Sequence, residues 1–134
     1  MAIDRLAAFI LDCDEPAALA RFYARITGWE IVYEDDDWAH LLAPSGPTIA
    51  FQRVSDFTPP AWPGSEHPQQ AHLDFEVDDV HASAAELEAL GIERHAVQPG
   101  DSFVVFADPA GHPFCLVEMH SYRAVTTSFV AGDG

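Results

Sequence analysis

Lysine is absent from this chain, and the six basic residues it does have, Arg5, Arg21, Arg25, Arg53, Arg94 and Arg123, stand against 22 aspartates and glutamates. The formal charge is −16 over 134 residues. Nucleic-acid affinity depends on clustered lysine and arginine displacing counterions, and six scattered arginines make neither a basic run nor a basic face. Nucleic acid is therefore excluded as a partner, and a membrane surface is disfavoured on the same ground. Such acidity can steer a cationic small molecule toward the protein, although a well-solvated surface or a salt-tolerant host is the stronger reading.

Cysteine is almost as scarce. Cys13 and Cys115 are the only two, too few for a disulfide framework and too far apart for a CxxC metal site, so both read as buried thiols. No stretch approaches the roughly 18 apolar residues of a membrane span. Residues 1–12 include Asp4 and Arg5 and hold no apolar run of the kind that forms the core of a signal peptide. A cytoplasmic location is expected. With 49% hydrophobic residues, 134 positions suffice for one core and fall short of two ordinary domains, so a single domain over 1–134 is expected.

What is present is an internal repeat. Leu6 to Leu11 reads as a buried strand, and Asp14, Glu15 and Pro16 open a helix whose Leu19, Phe22, Tyr23 and Ile26 form an apolar stripe ending at Gly28. Strands are expected over 29–33, 38–42 and 48–54, separated by the acidic turn 34–37 and by Pro44-Ser45-Gly46. The second half repeats this order. A strand over 71–77 precedes a helix opened by Asp78 and Asp79, carrying Ala84, Leu87 and Leu90 and closed by Gly91. Strands over 92–97, 103–107 and 114–119 follow, the last two joined by the turn Asp108-Pro109-Ala110-Gly111. Gly91 lies 63 positions after Gly28, and Pro109 lies 65 after Pro44, so the halves keep register. The prediction is an α+β protein of two βαβββ modules: module one over 3–54, a proline-rich linker over 55–70, module two over 71–120 and a tail over 121–134.

The strings FYARITGW at the end of the first helix, HLDFEVDDV at the start of the second module and DPAGHPFCLVE near its end occur in this order over roughly residues 3 to 120. As a set they resemble the vicinal oxygen chelate superfamily of glyoxalases, bleomycin-resistance proteins and extradiol dioxygenases. The resemblance implies two half-open sheets forming a cleft between modules, commonly in a homodimer, to which the long tail would contribute. It also implies four inward-facing slots that hold a divalent metal in metal-dependent members. Here those slots fall on Ala8, Ala50, His72 and Cys115, the last supported by the repeat because Cys115 is 65 positions after Ala50. Glu118, three residues further along the strand, points to the opposite face. Two methyl groups coordinate nothing, so no metal cofactor is expected. His72 and Cys115 are weak metal candidates, with Asp74 and Gln52 the nearest additional donors by strand parity.

On the strand over 71–77, His72, Asp74 and Glu76 share one face and Leu73, Phe75 and Val77 the other. The polar face is expected to meet ligand, with plain solvation as the simpler alternative. Were the protein an enzyme, His72 oriented by Asp74 would be its general base. Trp38 and His40 share a strand face, and Trp62 sits in the linker, where an aromatic wall would suit a flat ligand, although for Trp38 and Trp29 core packing is the stronger reading. The expected ligand-binding set is therefore Trp38, His40, Gln52, Trp62, His72, Asp74 and Cys115. His112 reads as structural, and His67, His81, His95 and His120 as surface residues. The expected function is metal-free binding of a small organic molecule, with a cationic guest favoured. The alternatives are a metal-dependent or histidine-based lyase, isomerase or dioxygenase, and an association domain whose cleft has closed.

Overall fold

The computed structural model describes residues 2–118. The strands and helices are β1 (Ala8–Cys13), α1 (Pro16–Thr27), β2 (Glu30–Glu34), β3 (Trp38–Leu42), β4 (Thr48–Arg53), β5 (Leu73–Val77), α2 (Val80–Ala89), β6 (Phe103–Ala107) and β7 (Pro113–Glu118). They form two compact units that divide between Pro59 and Pro60, inside the proline-rich linker. The class is α+β, as predicted. The expectations for His120 and for the tail over 121–134 lie outside the described residues.

In the first unit the strand order is β1-β4-β3-β2, with β1 parallel to β4 and the other neighbours antiparallel. Pro16 occupies the first turn of α1, where its missing N–H costs nothing, and Gly28 ends the helix at φ 75°, donating its N–H to the Ala24 carbonyl at 2.8 Å. The helix buries Leu19, Ala20 and Tyr23 against a sheet face built from Leu11, Ala39, Leu41 and Phe51. Tyr23 stacks on Phe51 at 5.5 Å between ring centroids. Burial of large side chains such as these contributes about 1.5–3 kcal/mol each. Because strand side chains alternate, Ala8, Ile10, Tyr33, Trp38, His40, Thr48 and Ala50 point to the face away from the helix. The first strand begins at Ala8 rather than Leu6, and Leu6 is exposed. Its ladder partner β4 starts at Thr48, immediately after Pro47, which has no N–H to extend the pairing.

The second unit repeats the topology in the order β5-β7-β6, with β5 parallel to β7 and β6 antiparallel to it. Asp79 caps α2, its carboxylate accepting from the backbone N–H groups of His81 and Ala82, each at 3.0 Å. Val80, Ala84 and Leu87 of the helix are buried with Val104, Phe106, Phe114 and Leu116 of the sheet. The strand expected over 92–97 does not form. Only a bridge from Arg94 to Phe106 marks it. Its place beside β6 is taken in part by a side chain, since the Gln98 carboxamide donates to the Val105 carbonyl at 2.8 Å and accepts from the Val105 N–H at 2.9 Å. The turn before β7 is organised by Asp108, which is buried and accepts from the N–H groups of Ala110 and His112, each at 2.9 Å, while its other oxygen lies 2.7 Å from His112 Nδ1.

Candidate functional site

Each sheet carries its chemistry on the face opposite its helix. In the second unit, ladder pairing sets Asp74, Cys115 and Val105 in one row across β5, β7 and β6. The next row on the same face holds Glu76, Val117 and Phe103. His72 immediately precedes β5 rather than lying within it, yet its alternation with Asp74 still turns both toward this face. A cavity of about 310 Å³ opens there, walled by Trp62, Phe103, Val105 and Val117 and carrying His72, Asp74, Cys115 and Gln69 as its polar groups.

These polar groups are mutually engaged with one exception. His72 Nε2 lies 3.1 Å from Asp74 Oδ1, with 40% and 30% of the two side chains exposed. The Cys115 side chain is buried, and its thiol is pushed up to about 11, first by burial and then by the negative charge and hydrogen bonding of Asp74. It therefore stays protonated at neutral pH and is no nucleophile there. The exception is Gln69 Oε1, which is buried without a hydrogen-bond partner among the described residues. A buried acceptor left unmatched costs about 1–3 kcal/mol, so it marks a place where an incoming donor is rewarded.

The corresponding face of the first unit holds a cavity of about 530 Å³, with Ala8, Ile10, Thr48 and Ala50 as its floor and Tyr33, Trp38 and His40 as its rings. Gln52 follows Ala50 on the same side of β4, but its side chain walls neither cavity. The predicted residues thus separate into two groups. Trp62, His72, Asp74 and Cys115 converge in the second unit, and Trp38 with His40 in the first. His95, expected at the surface, is half-buried with its ring 5.1 Å from that of Trp62. Phe103, Val105 and Val117 went unremarked in the sequence although their alternation with Val104 and Leu116 would have placed them on the face of Cys115. Gln69 had no such signal, because it lies in an irregular segment without periodicity.

The repeat shows how differently the two faces are furnished. Ala8 matches His72 at an offset of 64, Ile10 matches Asp74 at 64, and Ala50 matches Cys115 at 65. All three donors of the second unit are apolar in the first. Within the second unit, one atom each of His72, Asp74 and Cys115 lie within 4.8 Å of one another. Ligands of a shared tetrahedral Zn²⁺ lie about 3.5 Å apart, and an imidazole, a carboxylate and a thiolate are all zinc ligands, so modest side-chain movement would bring this trio onto one ion. The donor set fits a three-ligand site with an open position, provided that Cys115 loses its proton.

Residues 8–117 match the glyoxalase-like domain family. A comparison with curated proteins finds no match. Among solved structures, the chain is similar to trypanothione-dependent glyoxalase I from Leishmania major, with a TM-score of 0.72 and 13% identity over 98% of this chain and 99% of that one. Lactoylglutathione lyase from Agrobacterium tumefaciens follows the same fold at a TM-score of 0.64 and 21% identity, covering 89% of this chain and 96% of its own. A glyoxalase family protein from Enterococcus faecalis gives 0.66 and 22%, with coverage of 87% and 98%. At these identities the solved structures speak for the fold, while the family match spans well over half of the sequence. The chain belongs to the glyoxalase-like domain family.

Proposed function

We propose that this protein binds a small organic molecule in the cavity of its second unit, without requiring a metal, and that it works as a homodimer. The observation that carries the reading is Gln69 Oε1, a buried acceptor without a hydrogen-bond partner among the described residues, on a side chain that lines a mostly apolar cavity of about 310 Å³. That volume lies at the small end of the range for ligand pockets, and an apolar wall with a few convergent polar groups is their usual composition. A fitting ligand has a compact or flat apolar body for Trp62, Phe103 and Val105, and an N–H or O–H for Gln69. A basic group on it would face Asp74, and the charge of −16 would aid its approach.

The test is a ligand screen by thermal shift, repeated with Gln69→Leu. Ligands carrying a donor should lose about tenfold in affinity for the variant, the equivalent of one buried hydrogen bond. Hits that bind Gln69→Leu and Trp62→Leu as well as the parent would refute this placement. Light scattering after size exclusion at micromolar concentration tests the dimer, and a monomer would remove it.

One observation favours a second reading, an enzyme assisted by a divalent metal: the convergence of His72, Asp74 and Cys115. These three would hold the ion, and the ion would act as a Lewis acid toward a bound substrate. His72 and Asp74 could not then also serve as an independent acid–base pair. Elemental analysis after dialysis against Zn²⁺, Ni²⁺, Mn²⁺ and Fe²⁺ separates the readings. Stoichiometric metal that is lost in both His72→Ala and Asp74→Ala would favour the enzyme and direct attention to lyase, isomerase and dioxygenase assays. Protein free of metal leaves the binder.

A further inference from the structure

Residues 61–69 belong to the second unit and contribute two side chains to the wall of its cavity, Trp62 and Gln69. Those two are half-buried, and every other residue of the segment is exposed. The segment forms neither strand nor helix and is closed on itself by the Ala61 N–H, which donates to the His67 carbonyl at 2.6 Å. By contrast, Phe103, Val105 and Val117 stand on β6 and β7 and are fixed by the pairing of those strands. With so few buried side chains, 61–69 is the part of the wall that opens at least cost.

Trp62 rests against His95. The ring centroids are 5.1 Å apart at an interplanar angle of 64°, an edge-to-face contact within the favourable range. His95 does not itself line the cavity. It is anchored at three points. Its N–H donates to the Val105 carbonyl at 2.9 Å, its carbonyl accepts from the Gln98 carboxamide at 2.8 Å, and its Nδ1 accepts from the Val97 N–H at 3.0 Å. The last bond requires an unprotonated Nδ1 and sets the orientation of the ring. An imidazole fixed in this way is a post, and the indole on the weakly held segment is what swings against it.

We propose that residues 61–69 form a strap that opens and closes this cavity, and that His95 is a positioning residue that holds the strap shut through the ring of Trp62. The inference rests on the reading of the cavity as a ligand site, whose guest enters and leaves as the strap opens. A ring contact of this kind shifts an equilibrium by about fivefold, so its removal raises the open fraction by that factor. Cys115 is a built-in reporter of the open state. Its side chain lines the cavity and the residue is only 7% exposed, so a reagent of the size of iodoacetamide reaches the sulfur when a wall moves aside.

The test is iodoacetamide labelling of the full chain with no ligand present, read separately at Cys115 and at Cys13, which is fully buried in the first unit. His95→Ala is expected to label Cys115 about fivefold faster than the parent, and Trp62→Ala at least as fast, with Cys13 unchanged in both. The factor should hold from about pH 7 to 9.5, because the latch changes access to the thiol and leaves the acidity of the reacting state alone. The double variant should label no faster than Trp62→Ala, since His95 acts only through that ring. His95→Phe keeps a ring and should return to within about twofold of the parent. An unchanged Cys115 rate in His95→Ala, additive effects in the double variant, or a rate in His95→Phe as high as in His95→Ala would overturn the latch. Equal acceleration of both cysteines would overturn it too, because His95 would then act on the fold as a whole. No guest takes part, so a failed ligand screen leaves this result standing, and unchanged labelling leaves the ligand site standing.

Discussion

Asp74→Asn should make Cys115 more reactive, and the size of the effect follows from the surroundings of the thiol. An ordinary cysteine titrates at about 9, whereas burial and Asp74 push Cys115 up to about 11. At pH 8 the thiolate is then about a hundredfold rarer than that of an ordinary cysteine. A more basic thiolate is intrinsically the better nucleophile, which recovers about threefold for each tenfold lost, so Cys115 should alkylate about tenfold more slowly on electrostatic grounds alone. Burial is the first cause of the shift, and the charge and hydrogen bonding of Asp74 come after it. The substitution leaves burial untouched, so it should restore only part of that tenfold, about threefold. Iodoacetamide labelling between pH 7 and 9.5 with mass spectrometry of tryptic peptides resolves the two cysteines, because Arg21 and Arg94 lie between them. Cys13 is fully buried in the other unit and serves as the internal control. The sign is definite: the parent rate should keep climbing with pH beyond 9, and in Asp74→Asn the same rise should arrive at lower pH. A variant that labels no faster than the parent, or whose pH profile is unmoved, would refute the coupling of Asp74 to Cys115.

Three further substitutions test the fold around the sites. Asp108→Ala strips the acceptor from the N–H groups of Ala110 and His112 and from the His112 ring, and should destabilise the protein by about 3 kcal/mol, read as a lowered midpoint in urea. Gln98→Ala removes both side-chain bonds to Val105 and should speed amide hydrogen exchange at Val105 more than at Val104, at a cost of about 1–2 kcal/mol. Asp79→Ala deletes the α2 cap and should cost about 1 kcal/mol by the same urea assay, whereas Asp78→Ala should cost less than half of that.

The parts of this fold that were legible in the sequence are those governed by local chemistry. Pro16 and Gly28 mark the ends of α1, and the spacing of Leu19 and Tyr23 gives its buried face, because capping and periodicity act within one or two turns. The pairing of His72 with Asp74 was legible for the same reason, since alternation along a strand is local. Cys115 came from the slot that the family resemblance implies along DPAGHPFCLVE, and the repeat supported it by carrying information from one half to the other. Residues 92–97 misled because the repeat of the first half calls for a strand there, while the Gln98 side chain takes up the Val105 backbone groups from seven positions away. The start of β1 was set across the ladder by Pro47, immediately before β4, which no reading of residues 6–11 alone includes. Gln69 was invisible for a different reason. In an irregular segment no period relates position to burial, so only coordinates reveal that its oxygen lacks a partner.

The two open faces argue against treating the halves as redundant copies. At the three equivalent positions the first unit has Ala8, Ile10 and Ala50 where the second has His72, Asp74 and Cys115. At a fourth the relation is reversed, since His40 of the first unit matches Val105 of the second at an offset of 65. Loss of function from one half would leave apolar residues at all four places, and it would not add Tyr33 and Trp38 beside His40 with a carboxylate fixing the tyrosine. The exchange is therefore one of kind: directional donors in the second unit, ring faces in the first. Directional donors suit a ligand with its own hydrogen-bonding groups or a metal ion.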